Sequence, residues 1–310
     1  MERRRHPASP LRISCTLKFL PACCRTTAGL WWITGGAPSD AGTDVDRDGL
    51  TRERKQTGRI VADRNGGLLI VNADDWGYDV PTSDAILKRF RDGAISSTTG
   101  MVFMDDSERA AEIARSEGLP VGLHLNLTQV YTGSGVPDDA RERQARLAAK
   151  LSGSKLHRWV YDPLMRRDIQ TTVREQFDEF AKLYGCAPTH LDGHHHIHVI
   201  PNVLFSGAVP PRGKLRSPVC TSWRSAAARA RGRLLRSALR QARFTTTDYL
   251  LSIDELDAWA HDDGAIALPR SASVEVMTHP GVPEEDSLLE SSTWRRVLAS
   301  RRLGSFKDLY

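Results

Sequence analysis

The 310-residue chain has few cysteines, few aromatic residues, no long apolar run and no strong excess of either charge. Of its five cysteines, Cys15, Cys23 and Cys24 crowd the first 24 residues, while Cys186 and Cys220 stand far apart. That spacing excludes a disulfide framework and a cysteine-based zinc module, and it fits a reducing compartment. No stretch approaches the roughly 20 apolar residues that cross a bilayer. Arg3, Arg4 and Arg5 resemble the basic start of a signal peptide. The apolar segment after them is interrupted by Arg12, Lys18 and Pro21 and leads to no small-residue cleavage site. The expected location is therefore the cytoplasm. A net charge of +5 does not by itself call for nucleic acid, because the placement of charge matters more than its sum. There is no internal repeat.

What is present is enough apolar material, 40% of residues, for one large domain or two small ones. Residues 1–65 mix basic clusters with a Gly/Asp/Thr-rich stretch and sustain no period. They read as disordered, or as an extension outside the folded unit, which spans 66–310. Within that unit, Leu68 to Val71 is a short buried strand that ends in the polar cluster Asn72 to Asp75. Ile86, Leu87 and Phe90 mark a helix over 83–92, with Ser83 as its cap and Gly93 as its stop. Thr98 to Phe103 and Val121 to Leu127 read as strands, with a helix from Ser107 closed by Gly118 between them. Residues 135–160 look like a patternless excursion. A long amphipathic helix follows through Ile169, Val173, Phe177, Phe180 and Tyr184, stopped by Gly185 and Pro188. Further strands fall at Thr189 to Asp192 and Val274 to Met277. Strands alternating with helices imply a parallel α/β sheet whose strand ends carry the site.

Polar clusters do follow the strands. Asp74 and Asp75 are adjacent carboxylates that would repel in a dry site unless a cation or proton lay between them. His124, between Leu123 and Leu125, points to the opposite face of its strand from both leucines. The segment His190-Leu191-Asp192-Gly193-His194-His195-His196-Ile197-His198 holds five of the ten histidines, a density that packing does not explain. One aspartate and two histidines from separate strands make a three-ligand site with an open position. That openness separates catalytic from structural metal sites. His279, after the last strand, is suited to protonating a leaving amine at the same mouth.

At these residues the chain resembles the YdjC-like family of carbohydrate deacetylases. The stretches LLIVNADDWG, GAISSTTGMVF, VGLHLNLT, PTHLDGHHHIHVIPNV, VEVMTHPG and RLGSFKDL carry the resemblance, in order, over residues 67 to 310. It implies an irregular (β/α) barrel, a divalent ion (magnesium or zinc) and removal of an acetyl group from an N-acetylated sugar. By position it implies Asp75, His124 and His194 as metal ligands, Asp74 as general base and His279 as general acid. It places His196, His198 and Arg216 near the site, orienting ligands or touching substrate. Trp76 and Gly193 stand where the family more often has Phe and Ser. Between Val203 and Arg216 the family has a helix, where this chain has two prolines and two glycines, so the connection there is expected to be cut down.

Two other readings accompany the deacetylase. One is a family member that binds metal without catalysis. The other is a nucleic-acid-binding protein using residues 221–244, which hold seven arginines and no acid. That stretch reads more simply as a solvated helix with Trp223, Leu234, Leu235 and Leu239 turned inward, so nucleic acid is not an expected partner. The expected partner is the sugar, and a homodimer is compatible with the sequence.

Overall fold

The computed structural model describes residues 67–153, 155–208, 210–218, 226–255 and 268–310. The expectations for residues 1–65 and for Trp223 lie outside these. Strand β1 runs Leu68–Trp76 and helix α1 runs Val80–Arg91. The helix starts earlier than its apolar period suggests: Asp79 is the cap, its side chain accepting from the Thr82 amide, and Pro81 occupies the first turn. Ser83 is instead buried, its Oγ accepting from the Gly77 amide at 3.1 Å and donating to the Asp79 carbonyl at 3.0 Å. β2 is Ser97–Gly100, α2 is Ser107–Glu117 and β3 is Val121–Leu125, so both strands end before the expected Phe103 and Leu127. Ser107 does not cap α2; its hydroxyl accepts from the Met104 amide and donates to the Met101 carbonyl. Gly118 closes α2 in the left-handed conformation, as anticipated.

Residues 135–160 are not structureless. Helices α3 (Asp138–Gly153) and α4 (Lys155–Trp159) lie there. α3 buries Ala140, Leu147, Ala148 and Leu151, with Gln144 hydrogen-bonded inside the stripe. α5 (Arg166–Tyr184) is the expected long helix, stopped by Gly185 at φ 69°. β4 is only Leu191–Gly193. The shortened connection after it holds α6 (Pro201–Leu204) and then β5 (Lys214–Leu215). Only the four residues of α6 are helical among the described residues here, yet β5 still pairs with β4, so the sheet continues. α7 (Ala226–Gln241), β6 (Thr245–Thr246), β7 (Tyr249–Ser252), β8 (Val274–Thr278), α8 (Pro283–Glu290), α9 (Ser292–Ser300) and β9 (Arg302–Gly304) complete the order.

All strand pairs are parallel, in the order β6-β5-β4-β3-β2-β1-β8-β7, with β9 also against β1. The two ends of that path, β6 and β7, are separated in the chain only by Thr247 and Asp248. One bent stretch, 245–252, therefore supplies both edges, and the sheet curls into an irregular (β/α) barrel wall. No helix of the described residues is long and apolar enough to cross a membrane. Of the five cysteines only Cys186 is described, and it is exposed and free.

Strand alternation sorts the side chains. Leu69, Val71, Ala73, Leu123, Leu125, Val274 and Val276 join one apolar cluster with Ile86, Phe177, Phe180 and Trp294 from the helices. Each of the leucine, valine, isoleucine and phenylalanine side chains contributes roughly 1.5–3 kcal/mol when fully buried. The intervening positions Asn72, Asp74, His124 and Glu275 are buried but polar, and face the barrel interior. The helices thus seal one face of the wall while the other concentrates charge.

Candidate active site

The site grows from the ends of β1, β3, β4, β5 and β8. On a regular strand Asp74 and Asp75 would point apart. The register of β1 against β2 shifts between Ala73 and Trp76, and Asp75 takes φ 70°. A positive φ on a non-glycine residue costs about 1–3 kcal/mol and persists where the surroundings enforce it. Gly77 follows at φ 82°, where a Cβ would meet the Met101 carbonyl oxygen at 3.1 Å, so only glycine turns the chain there. A second strained pair, His195 (φ 67°) and His196 (φ 50°), follows β4.

The structure brings the side chains of Asp75, His124 and His194 together. His124 Nε2 lies 3.0 Å and His194 Nδ1 lies 3.1 Å from the same oxygen, Asp75 Oδ1. All three donor atoms fall within 4.8 Å of one another. Each imidazole is held by its far nitrogen. His124 Nδ1 is 2.8 Å from Asp192 Oδ1, and His194 Nε2 is 3.1 Å from Gln129 Oε1. Gln129 in turn donates to the Tyr78 hydroxyl at 2.6 Å. A carboxylate with two imidazoles, each fixed from behind and presenting its near nitrogen, is donor chemistry that fits one divalent cation. Burial alone would raise the Asp75 carboxyl, but the two histidines outweigh it and hold it well below the usual carboxylate range.

Behind this set lies a buried ion cluster whose members are scattered along the chain. Arg216, fully buried just past β5, donates through Nη1 and Nη2 to both Asp74 oxygens at 2.7 and 2.6 Å. It also meets Asp192 Oδ2 at 2.6 Å and, through Nε, Glu275 Oε1 at 2.6 Å. It is too enclosed to touch a substrate; it holds carboxylates. Asp74, His124 and Asp192 also lie close enough to share an ion, but Arg216 already supplies the cation between the two acids. Burial pushes Asp74 upward, yet the charge and hydrogen bonds of Arg216, with help from His124 and His279, leave its carboxyl far below the usual range. Burial likewise raises Asp192, opposed by Arg216 and reinforced by Asp74.

Glu275 differs. Burial raises it from 4.5 to about 7, and Arg216 only partly offsets this. An acid whose folded pKa lies above its unfolded one binds a proton more tightly when folded. It therefore adds stability below about 4.5 and loses it as pH rises through about 7. At about 1.4 kcal/mol per unit the loss is on the order of 3 kcal/mol. Urea denaturation of the metal-free protein across that window is expected to show the decline, and Glu275→Gln to flatten it. An unchanged slope in the variant would assign the decline to other groups.

His279, past β8, faces the same chamber, with Nε2 3.9 Å from Asp74 Oδ2. Its Nδ1 lies 3.1 Å from Glu285 Oε1, and its backbone amide donates to Glu285 Oε2 at 2.6 Å. His196 and His198 do not join the donor set among the described residues. Burial lowers His196 to about 4 and His198 well below its usual value, so both are neutral imidazoles packed alongside. His195 Nδ1 meets Thr128 Oγ1 at 2.7 Å, and burial lowers the ring to about 3. Asp192 and Glu275 had a readable signal: one ends a strand amid histidines, and the other interrupts an apolar strand on its inner face. Gln129 and Glu285 had none, since each reaches the site from another element.

The solved structure of a protein from Enterococcus faecalis whose name assigns it to cellobiose-phosphate cleavage shares this fold, with a TM-score of 0.55 at 18% identity over 78% of this chain and 98% of that one. Chitooligosaccharide deacetylase of Serratia marcescens is 33% identical over 142 residues, covering 44% of this chain and 52% of the relative. The enzyme of the same name from Escherichia fergusonii is 32% identical over 143 residues, covering 44% and 52%. The chain thus spans about half the length of the curated relatives it matches. The model of the YdjC-like proteins matches residues 68–306, nearly the whole described barrel with every site residue named above, and the chain belongs to that family.

Proposed function

We propose that residues 66–310 form a carbohydrate deacetylase domain that hydrolyses the acetamide of an N-acetylated sugar, an N-acetylglucosamine-containing oligosaccharide or glycolipid. The observation that carries this reading is the convergence of Asp75, His124 and His194 at one mouth, with a buried carboxylate and a histidine beside them. Those three residues would hold a divalent ion, magnesium or zinc, which when bound acidifies water and polarises a carbonyl.

The chain's own groups supply the rest. Asp74 is ionised at any working pH and takes up, at Oδ2, the proton of the attacking water. Arg216 fixes the plane of that carboxylate through two hydrogen bonds. Glu285 accepts from His279 Nδ1–H and so leaves Nε2 toward the chamber, where it passes a proton to the departing amine. Asp192 and Gln129 hold His124 and His194 in the tautomers that present their near nitrogens. The relatives named chitooligosaccharide deacetylase support an amino-sugar oligosaccharide as substrate, and the few, scattered cysteines suit a reducing compartment such as the cytoplasm.

Acetate release from a panel of N-acetylglucosamine oligosaccharides tests the reading. Turnover is expected with magnesium or zinc, to vanish with a chelator and to return on adding metal back. Calorimetric metal binding with no acetate from any sugar in the panel would instead establish a family member that holds metal without catalysis.

A further inference from the structure

The arginine-rich segment takes no part in the site, and its helix does not pack as the sequence suggests. Of the inward residues expected on α7, Leu239 is buried and Leu235 partly so, but Leu234 is 73% exposed. It is not isolated. Leu164 is 86% exposed, Phe205 67%, Trp159 58% and Val160 52%.

These side chains belong to one face. The Arg231 guanidinium lies 4.3 Å over the Trp159 ring, and Leu234 is one helical turn from Arg231 on the same side of α7. Asn202 on α6 donates to the Val160 carbonyl at 2.8 Å and accepts from the Asp162 amide at 2.5 Å. That fastens the loop carrying Val160 and Leu164 to the short helix after which Phe205 projects. Tyr161 meets Phe205 edge-on, with ring centroids 6.2 Å apart. Arg166, Arg167, Arg231 and Arg233, close in the chain to these apolar residues, are exposed, while Asp162 among them is engaged by the Leu164 amide at 2.9 Å. The nearby acid Asp248 is engaged by Arg236 and Arg240 farther along α7.

Protruding apolar groups clustered on one face mark an interaction surface. Its chemistry selects the partner. Nucleic acid would use the arginines and stack on Trp159, but gains nothing from Leu164, Leu234 and Val160. A second copy related by a two-fold axis would press arginine against arginine. An anionic bilayer uses all of it: aliphatic tips enter the acyl boundary, Trp159 sits at headgroup level, and the arginines meet lipid phosphates. We propose that this face, formed by the segment 159–164, Phe205 and the Arg231–Leu234 turn of α7, docks on an anionic lipid surface. The inference stands on exposure and charge alone and does not depend on the deacetylase reading.

Co-sedimentation of the full chain with vesicles tests it. Binding is expected to phosphatidylcholine vesicles containing phosphatidylglycerol, to weaken as salt rises and to be slight on phosphatidylcholine alone. The combined variant W159S/L164S/F205S is expected to lose about tenfold or more in partitioning, since three apolar side chains no longer enter the acyl boundary. The charge variant R166E/R167E/R233E is expected to lose the preference for phosphatidylglycerol. Melting temperature checks that both variants fold, and the two fail independently. Failure of the wild type to pellet with anionic vesicles overturns the proposal, as does unchanged partitioning of both variants. Tight capture of an RNA oligonucleotide that W159S/L164S/F205S leaves intact, without vesicle binding, would assign the face to nucleic acid. A dimer in sedimentation equilibrium that the same variant dissolves, without vesicle binding, would assign it to self-association.

Discussion

Replacing Asp74 with asparagine is expected to cut acetate release by about a hundredfold or more, the usual scale for loss of a general base, while leaving metal affinity nearly intact. Asp75→Asn is expected to lose both. The contrast follows from placement. Asp75 Oδ1 is the atom both ligand histidines approach, at 3.0 and 3.1 Å, whereas both Asp74 oxygens are occupied by Arg216. Asp74 Oδ2 also lies 3.9 Å from His279 Nε2, which is why it is assigned the proton transfer. The asparagine keeps the shape but brings an NH₂ group to a guanidinium that needs an acceptor, so melting temperature must accompany the assay. Calorimetric metal titration and acetate release on the two variants separate the roles. Activity in Asp74→Asn together with normal metal binding in Asp75→Asn would mean that the assignments are reversed.

Arg216→Leu is expected to be the most destabilising single change in the barrel, by roughly 3–5 kcal/mol, the cost of removing one partner from a buried ionic group. Three carboxylates, Asp74, Asp192 and Glu275, share that one guanidinium, and none of the four side chains is exposed. The effect has a pH signature. In the native protein Asp74 is held below its ordinary value, so its contribution is present above its unfolded pKa and lost as pH falls. Without Arg216 the buried carboxylates retain protons more strongly, and the variant is relatively better off in acid. The stability gap, read from urea denaturation, should therefore narrow as pH drops below the carboxylate range. A gap constant with pH would mean that Arg216 contributes packing rather than charge. Arg216→Lys should recover little, because an ammonium cannot make the forked contact to Asp74 while also reaching Glu275.

The legible parts of the fold were those with long periods or strong punctuation. α5 declares itself through Ile169, Val173, Phe177 and Phe180 and through Gly185, and β1 through an apolar run meeting carboxylates. α3 was missed because its buried stripe is made largely of alanine and a glutamine, Ala140, Gln144 and Ala148, amid charged residues. β5 and β6, two residues each, are too short to carry any period. They exist because neighbouring strands offer hydrogen bonds, a non-local cause. Leu234 was expected inside because it falls among apolar residues of a helix, yet which face of α7 is covered depends on what lies beside it.

For the site, the residue types and their order along the chain were determined by the sequence alone: a carboxylate pair, a strand histidine, a histidine cluster and a late histidine, each at a strand end. Parallel strands bring their C-terminal ends to one mouth, so convergence followed from fold class. What only the tertiary structure decided was how differently the two aspartates are surrounded. The kink that gives Asp75 φ 70° turns two adjacent aspartates toward different partners. Arg216, 142 positions from Asp74, then makes one of them a buried, permanently charged acceptor, while the other faces the histidines. Identical side chains acquire different charge environments through burial and partners, and those are set by residues far away in the chain.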